Sequence, residues 1–149
     1  MLLYRITNAQ YADDLSGNGA RFFGGRWNSV GRPMLYLASS RSLAILESLA
    51  HIVPTNAPMD YVLLTIDAPD DYVAINIGAL PEKWDEYPES NITKQIGNTF
   101  LQQNEYLLLK VPSALVPEES NYLMNPLHPK AGKVKVINNV PYRFDERLL

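Results

Sequence analysis

The sequence predicts an α+β fold, a mixed and largely antiparallel sheet flanked by helices. Short runs of β-branched and aromatic residues outnumber helical patterns. The two kinds of segment are interspersed along the chain, and Gly and Pro punctuate the connections between them. With 149 residues and no internal repeat, low-complexity tract or linker, residues 1–149 read as a single domain able to bury a core.

Leu2–Ile6 reads as a first strand. From Asp13 to Gly25 the chain is polar and rich in Gly (Gly17, Gly19, Gly24, Gly25) and reads as one long loop, a kind of segment that often carries function. Met34–Ala38 is a short strand set off by Gly31 and Pro33. Ser39-Ser40 offers an N-cap for a helix from about Arg41 to Val53, with Leu46, Leu49, Ala50 and Val53 at helical spacing and Pro54 as its stop. Tyr61–Ile66 and Tyr72–Ile75 have strand composition. Ile92, Ile96 and Phe100 recur at a four-residue step, predicting a helix over 91–101, although Gly97 is a poor helix former. Tyr106–Val111 reads as a buried strand and Pro112–Pro129 as a Pro-rich irregular segment. Lys133–Ile137 alternates Lys with Val and reads as an edge or half-exposed strand.

Composition narrows the chemistry. The formal net charge of −3 does not advertise a basic face for nucleic acid, although net charge says nothing about local clustering. There is no Cys, so disulfides, thiolate zinc sites and a Cys nucleophile are excluded. The two histidines, His51 and His128, lie far apart and show no metal-ligand spacing, so no metal is expected; each reads better as a capping or packing residue. Met1–Ile6 does not have the form of a signal peptide, and no apolar run approaches the ~20 residues of a membrane span, so the expected location is the cytoplasm.

A few residues could carry function. Arg26 follows Gly24-Gly25, a pair that lets backbone approach a ligand closely, and an Arg there can fork onto a phosphate or carboxylate. The plainer reading is a turn with a surface Arg stacked on Trp27. Glu47 shares a side of its helix with apolar neighbours. It is either solvated at the helix edge or held in a cleft, and a carboxylate kept in a cleft often has a task. Tyr36 on its apolar strand is either core or a ring for a flat heterocycle, with a hydroxyl in reach of a sugar or phosphate. Ser113 follows Pro112 and could be a turn residue; with no His nearby and no Gly-x-Ser-x-Gly elbow, a serine hydrolase is not supported.

Taken together and in order, these residues resemble the RES domain, a family of bacterial toxins from toxin–antitoxin pairs named for an Arg, a Glu and a Ser. The matching positions are Arg26 in Gly-Gly-Arg-Trp-Asn, Glu47 in Leu-Ala-Ile-Leu-Glu and Ser113 in Val-Pro-Ser-Ala-Leu-Val-Pro, with Tyr36 before the helix. Tyr4-Arg5-Ile6 resembles the family's opening strand, and Asn121 to Pro129 its closing motif.

The resemblance implies an ADP-ribosyltransferase-like fold and a type II toxin that consumes NAD as its substrate. Nicotinamide leaves NAD as a neutral molecule, so no general acid is needed, and the ribose becomes oxocarbenium-like. Glu47 would stabilise that charge. Arg26 would hold the pyrophosphate, with Arg5 as a second candidate. Tyr36 would stack on or position the nicotinamide ribose end, Ser113 would hydrogen-bond the ribose or the nicotinamide amide, and Asn28 and Asn121 complete the implied substrate contacts. The resemblance also implies an Xre-like antitoxin that blocks the active site, with no direct nucleic-acid or membrane binding by the toxin. Water or phosphate as acceptor makes a glycohydrolase or phosphorylase. A protein acceptor makes a mono-ADP-ribosyltransferase, and a module that only binds a protein partner would leave NAD intact.

Overall fold

The computed structural model describes residues 1–52 and 60–149. Among the described residues seven strands form one sheet: β1 (Leu2–Asn8), β2 (Leu35–Ala38), β3 (Tyr61–Asp67), β4 (Tyr72–Ala74), β5 (Leu108–Pro112), β6 (Ser120–Met124) and β7 (Lys135–Tyr142). Their order across the sheet is β4-β5-β6-β2-β1-β3-β7. Only β4 and β5 run parallel; every other neighbouring pair is antiparallel. Among the described residues three α-helices accompany it: α1 (Asn18–Phe23), α2 (Arg41–Leu49) and α3 (Asn91–Gln103).

Side chains alternate across a strand, so adjacent residues serve opposite faces. Leu108 of β5 joins Leu3, Leu35, Leu37, Leu64, Ile66 and Met124 in one buried cluster. Its neighbour Leu109 joins Trp27, Met34, Trp84, Phe100, Val111 and Leu123 in another, on the opposite face. A smaller cluster of Ala38, Leu43 and Ala44 seats α2 on Tyr4 and Ile6 of β1. Leu123 is fully buried, and truncating such a residue to Ala costs about 2–5 kcal/mol.

Two segments read as irregular contain regular elements. The Gly-rich stretch holds α1, and its glycines are the helix boundaries: Gly17 and Gly24 both have φ of 71°, a left-handed conformation suited to Gly. The Pro-rich stretch holds β6, an interior strand between β5 and β2. Pro112, Pro117 and Pro126 all lie outside Ser120–Met124, so no ladder donor is lost within it.

The helices also differ in their buried faces. The Ser40 hydroxyl caps α2 by accepting from Leu43 N–H at 3.1 Å. The helix ends at Leu49, while Val53 and Pro54, the predicted end and stop, lie outside the described residues. Its buried residues are Leu43 and Ala44, and Leu46 and Ala50 are exposed. That rotation places Glu47 on the sheet side. In α3 the buried positions are Thr93, Gly97 and Phe100, and Ile92 is exposed.

The feature that makes a cleft is a split in the sheet. β1 and β2 share one registered pair, Tyr4 opposite Ala38. Continued antiparallel, the ladder would pair Arg5 with Leu37 and Ile6 with Tyr36, and it does not. A four-strand half ending in β2 therefore parts from a three-strand half beginning with β1.

Candidate active site

A cleft of about 670 Å³ opens where β1 and β2 part, a volume typical of small-molecule and cofactor sites. Its walls come from β1, β2, α1, the Gly24–Trp27 turn, α2, β6 and a loop carrying Asp85, Tyr87 and Glu89.

Glu47 enters this cleft from α2. Its Oε1 accepts two hydrogen bonds of 2.7 Å, one from Ser113 Oγ and one from Asn121 Nδ2. Both donors belong to the C-terminal half: Ser113 follows β5, and Asn121 lies on β6 directly opposite Ala38. Ser113 is fully buried, and its Oγ also accepts from the Leu115 and Val116 amides at 3.1 Å each. Ser113 thus stands behind Glu47 rather than on the cleft wall. With Oε1 held, Oε2 is the oxygen left for a ligand; no buried side-chain oxygen or nitrogen among the described residues goes without a partner.

Arg26 leaves the Gly-Gly turn and lines the cleft. Its Nη1 donates to the carbonyl oxygens of Trp84 (3.0 Å) and Glu86 (2.9 Å). Nε and Nη2 remain as donors on the other side of the fork. A Cβ on Gly25 would lie 2.6 Å from the Tyr36 hydroxyl, so only Gly permits this approach.

Tyr36 donates to Asn28 Oδ1 at 2.6 Å and accepts the Trp27 N–H at 3.1 Å. Burial pushes its phenol above the ordinary range. Its hydroxyl is therefore engaged within the protein, and the ring is what it offers to the cleft. Asn28 is fully buried, and its Nδ2 donates to the carbonyls of Ala20 (2.8 Å) and Arg32 (3.0 Å). Asn28 thereby ties α1, the arginine turn and Tyr36 together.

Sequence reasoning missed the residues of α3 that fix this turn. Thr93 Oγ1 donates to the Arg26 carbonyl at 2.7 Å, and Asn98 bonds the Ser29 amide and hydroxyl at 3.1 and 2.8 Å. Gly97 lies against the Trp27 carbonyl so closely that any Cβ would overlap it. A Gly inside an otherwise helical pattern was the available signal for that contact.

Arg5 also lines the cleft, and its Nη1 donates to the Asp14 carbonyl at 2.9 Å. Burial lowers its pKa, opposed by the Asp14 carboxylate. His51 borders the same cleft. His128 is buried, accepts the Lys130 amide on Nδ1 at 3.0 Å and sets Nε2 3.2 Å from the Glu105 carbonyl. Among the described residues no three His, Asp or Glu side chains gather to hold a metal ion, and no helix is long and apolar enough to cross a membrane.

A cleft in a split, largely antiparallel sheet, with a carboxylate held from behind, is an enzyme-like arrangement, and comparison with known proteins gives the family. The RES domain matches residues 2–145, and the chain belongs to that family. It is 38% identical to Toxin Res of Photorhabdus laumondii over 152 residues, covering 100% of this chain and 97% of that protein. It is 41% identical to the Prs ADP-ribosylating toxin of a Sphingobium species over 142 residues, 93% of this chain and 88% of that one. In fold it is similar to the crystal structure of the M. tuberculosis MbcT–MbcA toxin–antitoxin complex, with a TM-score of 0.76 at 24% identity over 95% of this chain and 83% of that one. The chain is a toxin of the RES toxin–antitoxin class.

Proposed function

We propose that this toxin arrests growth by consuming NAD, cleaving the bond between nicotinamide and ribose. The observation that carries the reading is the asymmetric hold on Glu47: Oε1 accepts from Ser113 and Asn121 at 2.7 Å, which leaves Oε2 for the cleft. A fixed carboxylate beside the ribose carbon stabilises positive charge as it develops and needs no reorganisation to do so. The electron pair of the broken bond leaves with nicotinamide, whose ring was the cation, so the site needs no acid. Ser113 and Asn121 hold the carboxylate in place.

Arg26 binds the pyrophosphate through the fork edge that Trp84 and Glu86 do not occupy. Arg5 is the second cation on the wall. The Tyr36 ring shapes the cleft between these groups, with Asn28 holding its hydroxyl. Water or phosphate then takes the ribosyl carbon, making the toxin a glycohydrolase or phosphorylase. The reaction belongs in the cytoplasm, where the NAD pool lies. An Xre-like antitoxin that covers the cleft would silence it; the structural relative was solved as a toxin–antitoxin complex.

A protein acceptor is the second reading, favoured by the 41% identical relative named an ADP-ribosylating toxin. Intracellular NAD after brief induction, wild type beside Glu47→Ala, separates the two. NAD collapse with wild type alone supports NAD degradation. Steady NAD with arrested growth and a labelled protein band supports protein modification, and steady NAD with normal growth refutes both.

A further inference from the structure

Glu47 and Arg26 take up part of the cleft, and its wall continues past them to Asp85, Tyr87 and Glu89. The register gives the direction. Ala38 lies opposite Asn121, which holds Glu47. Tyr36 is two positions back along β2, roughly 6.6 Å away, and its hydroxyl meets the Trp27 amide. Arg26 precedes Trp27, and its Nη1 reaches the carbonyls of Trp84 and Glu86. Moving away from Glu47, the cleft therefore passes Tyr36, then Arg26, then the loop that carries Tyr87 and Glu89 on its wall.

A pyrophosphate on Arg26 has a riboside on each side. With the nicotinamide riboside toward Glu47, the adenosine falls on this loop. Tyr87 is 80% exposed there, an aromatic face open to a planar base. Glu89 is half-buried, lines the cleft and lies near enough to feel Tyr36 electrostatically. Resting on the NAD reading, we propose that Tyr87 and Glu89 form the adenosine subsite, the ring stacking on adenine and the carboxylate accepting the ribose hydroxyls, so that the toxin selects NAD over NADP.

A carboxylate that accepts a ribose 2′-hydroxyl rejects a 2′-phosphate, which brings negative charge and no donor. Asp85, on the same wall, has the same sign. Stacking on an aromatic side chain is tolerant of ring identity, so Phe should replace Tyr where Ala cannot.

The test measures nicotinamide release by purified toxin from NAD, NADP and nicotinamide mononucleotide. Wild type should favour NAD over NADP at least about 100-fold in kcat/KM and use the mononucleotide poorly. Tyr87→Ala should raise KM for NAD about tenfold or more, and Tyr87→Phe should not. Glu89→Ala and its isostere Glu89→Gln should each narrow the NAD preference about tenfold, by gaining on NADP. An unchanged NAD/NADP ratio in both Glu89 variants, or mononucleotide used as well as NAD, overturns the subsite while leaving NAD consumption standing. Release of no nicotinamide from any of the three by wild type overturns the NAD reading and the subsite with it.

Discussion

Ser113 and Glu47, 66 positions apart in sequence, are joined by a 2.7 Å hydrogen bond in which the serine must be the donor. Its oxygen already accepts the amide protons of Leu115 and Val116 at 3.1 Å each. A hydroxyl has one proton, and the remaining direction points at Oε1. The turn after β5 thereby fixes the hydroxyl, and the hydroxyl fixes the carboxylate. A serine held in this way is a poor nucleophile and a good support.

Removal of that support should slow turnover without weakening binding. Ser113→Ala is expected to lower kcat for NAD consumption about 10- to 100-fold, with KM within about threefold of wild type. It also leaves two amides without their acceptor, a loss of roughly 1–3 kcal/mol in stability. Steady-state kinetics with a urea melt checks both. A raised KM with kcat intact would instead make Ser113 a substrate contact.

Glu47→Gln keeps the shape of the side chain and removes its charge. If the carboxylate acts on developing positive charge, kcat should fall by about 10²–10³ or more. Melting temperature should change little beside that, since Ser113 and Asn121 can still donate to the amide oxygen. Nicotinamide release in single turnover is the measurement. A variant that turns over at the wild-type rate would remove Glu47 from the chemistry.

Tyr36 gives a prediction in pH. Burial raises its phenol above the usual value of about 10. The unfolded chain therefore ionises first as pH climbs, which favours unfolding. The phenol's contribution to stability is whole below pH ~10 and declines as pH rises from there toward the raised value. Urea midpoints from pH 9 to 11 should fall more steeply for wild type than for Tyr36→Phe. At pH 7 the Phe variant should be less stable by roughly 1–3 kcal/mol, because Asn28 Oδ1 loses its donor and the Trp27 amide its acceptor. Parallel slopes would show that Tyr36 ionises as freely in the folded state.

The sequence made the strands legible wherever apolar residues ran unbroken, as in Tyr61–Asp67. It hid β6 because Pro is read as a breaker over a window, whereas each Pro acts at its own position and none falls within Ser120–Met124. The Arg, Tyr, Glu and Ser were legible as types. What each touches was not, because Ser113 and Asn121 meet Glu47 from beyond 60 positions away. The partnership of Arg26 with Trp84 and Glu86 likewise depends on how a loop folds back. Asn28 is legible only as part of the Gly-Gly-Arg-Trp-Asn motif; its complete burial behind the arginine turn depends on how α1 and β2 pack around it.

Gly97 offers a test in which the sign itself is informative. In an exposed helix interior Gly→Ala gains about 1 kcal/mol. Gly19 in α1 has nothing within 4 Å of where a Cβ would stand, so Gly19→Ala should be neutral or stabilising by up to ~1 kcal/mol. Gly97→Ala should do the reverse. Its methyl meets the Trp27 carbonyl, backbone that cannot swing aside, and the helix must back away. The cost is about 1–3 kcal/mol. Backing away also loosens the Thr93 bond to the Arg26 carbonyl, 2.7 Å in the native packing. Gly97→Ala should therefore raise KM for NAD as well as lower the melting temperature, although its side chain faces no ligand. A stabilised Gly97→Ala would mean that α3 does not press on the arginine turn.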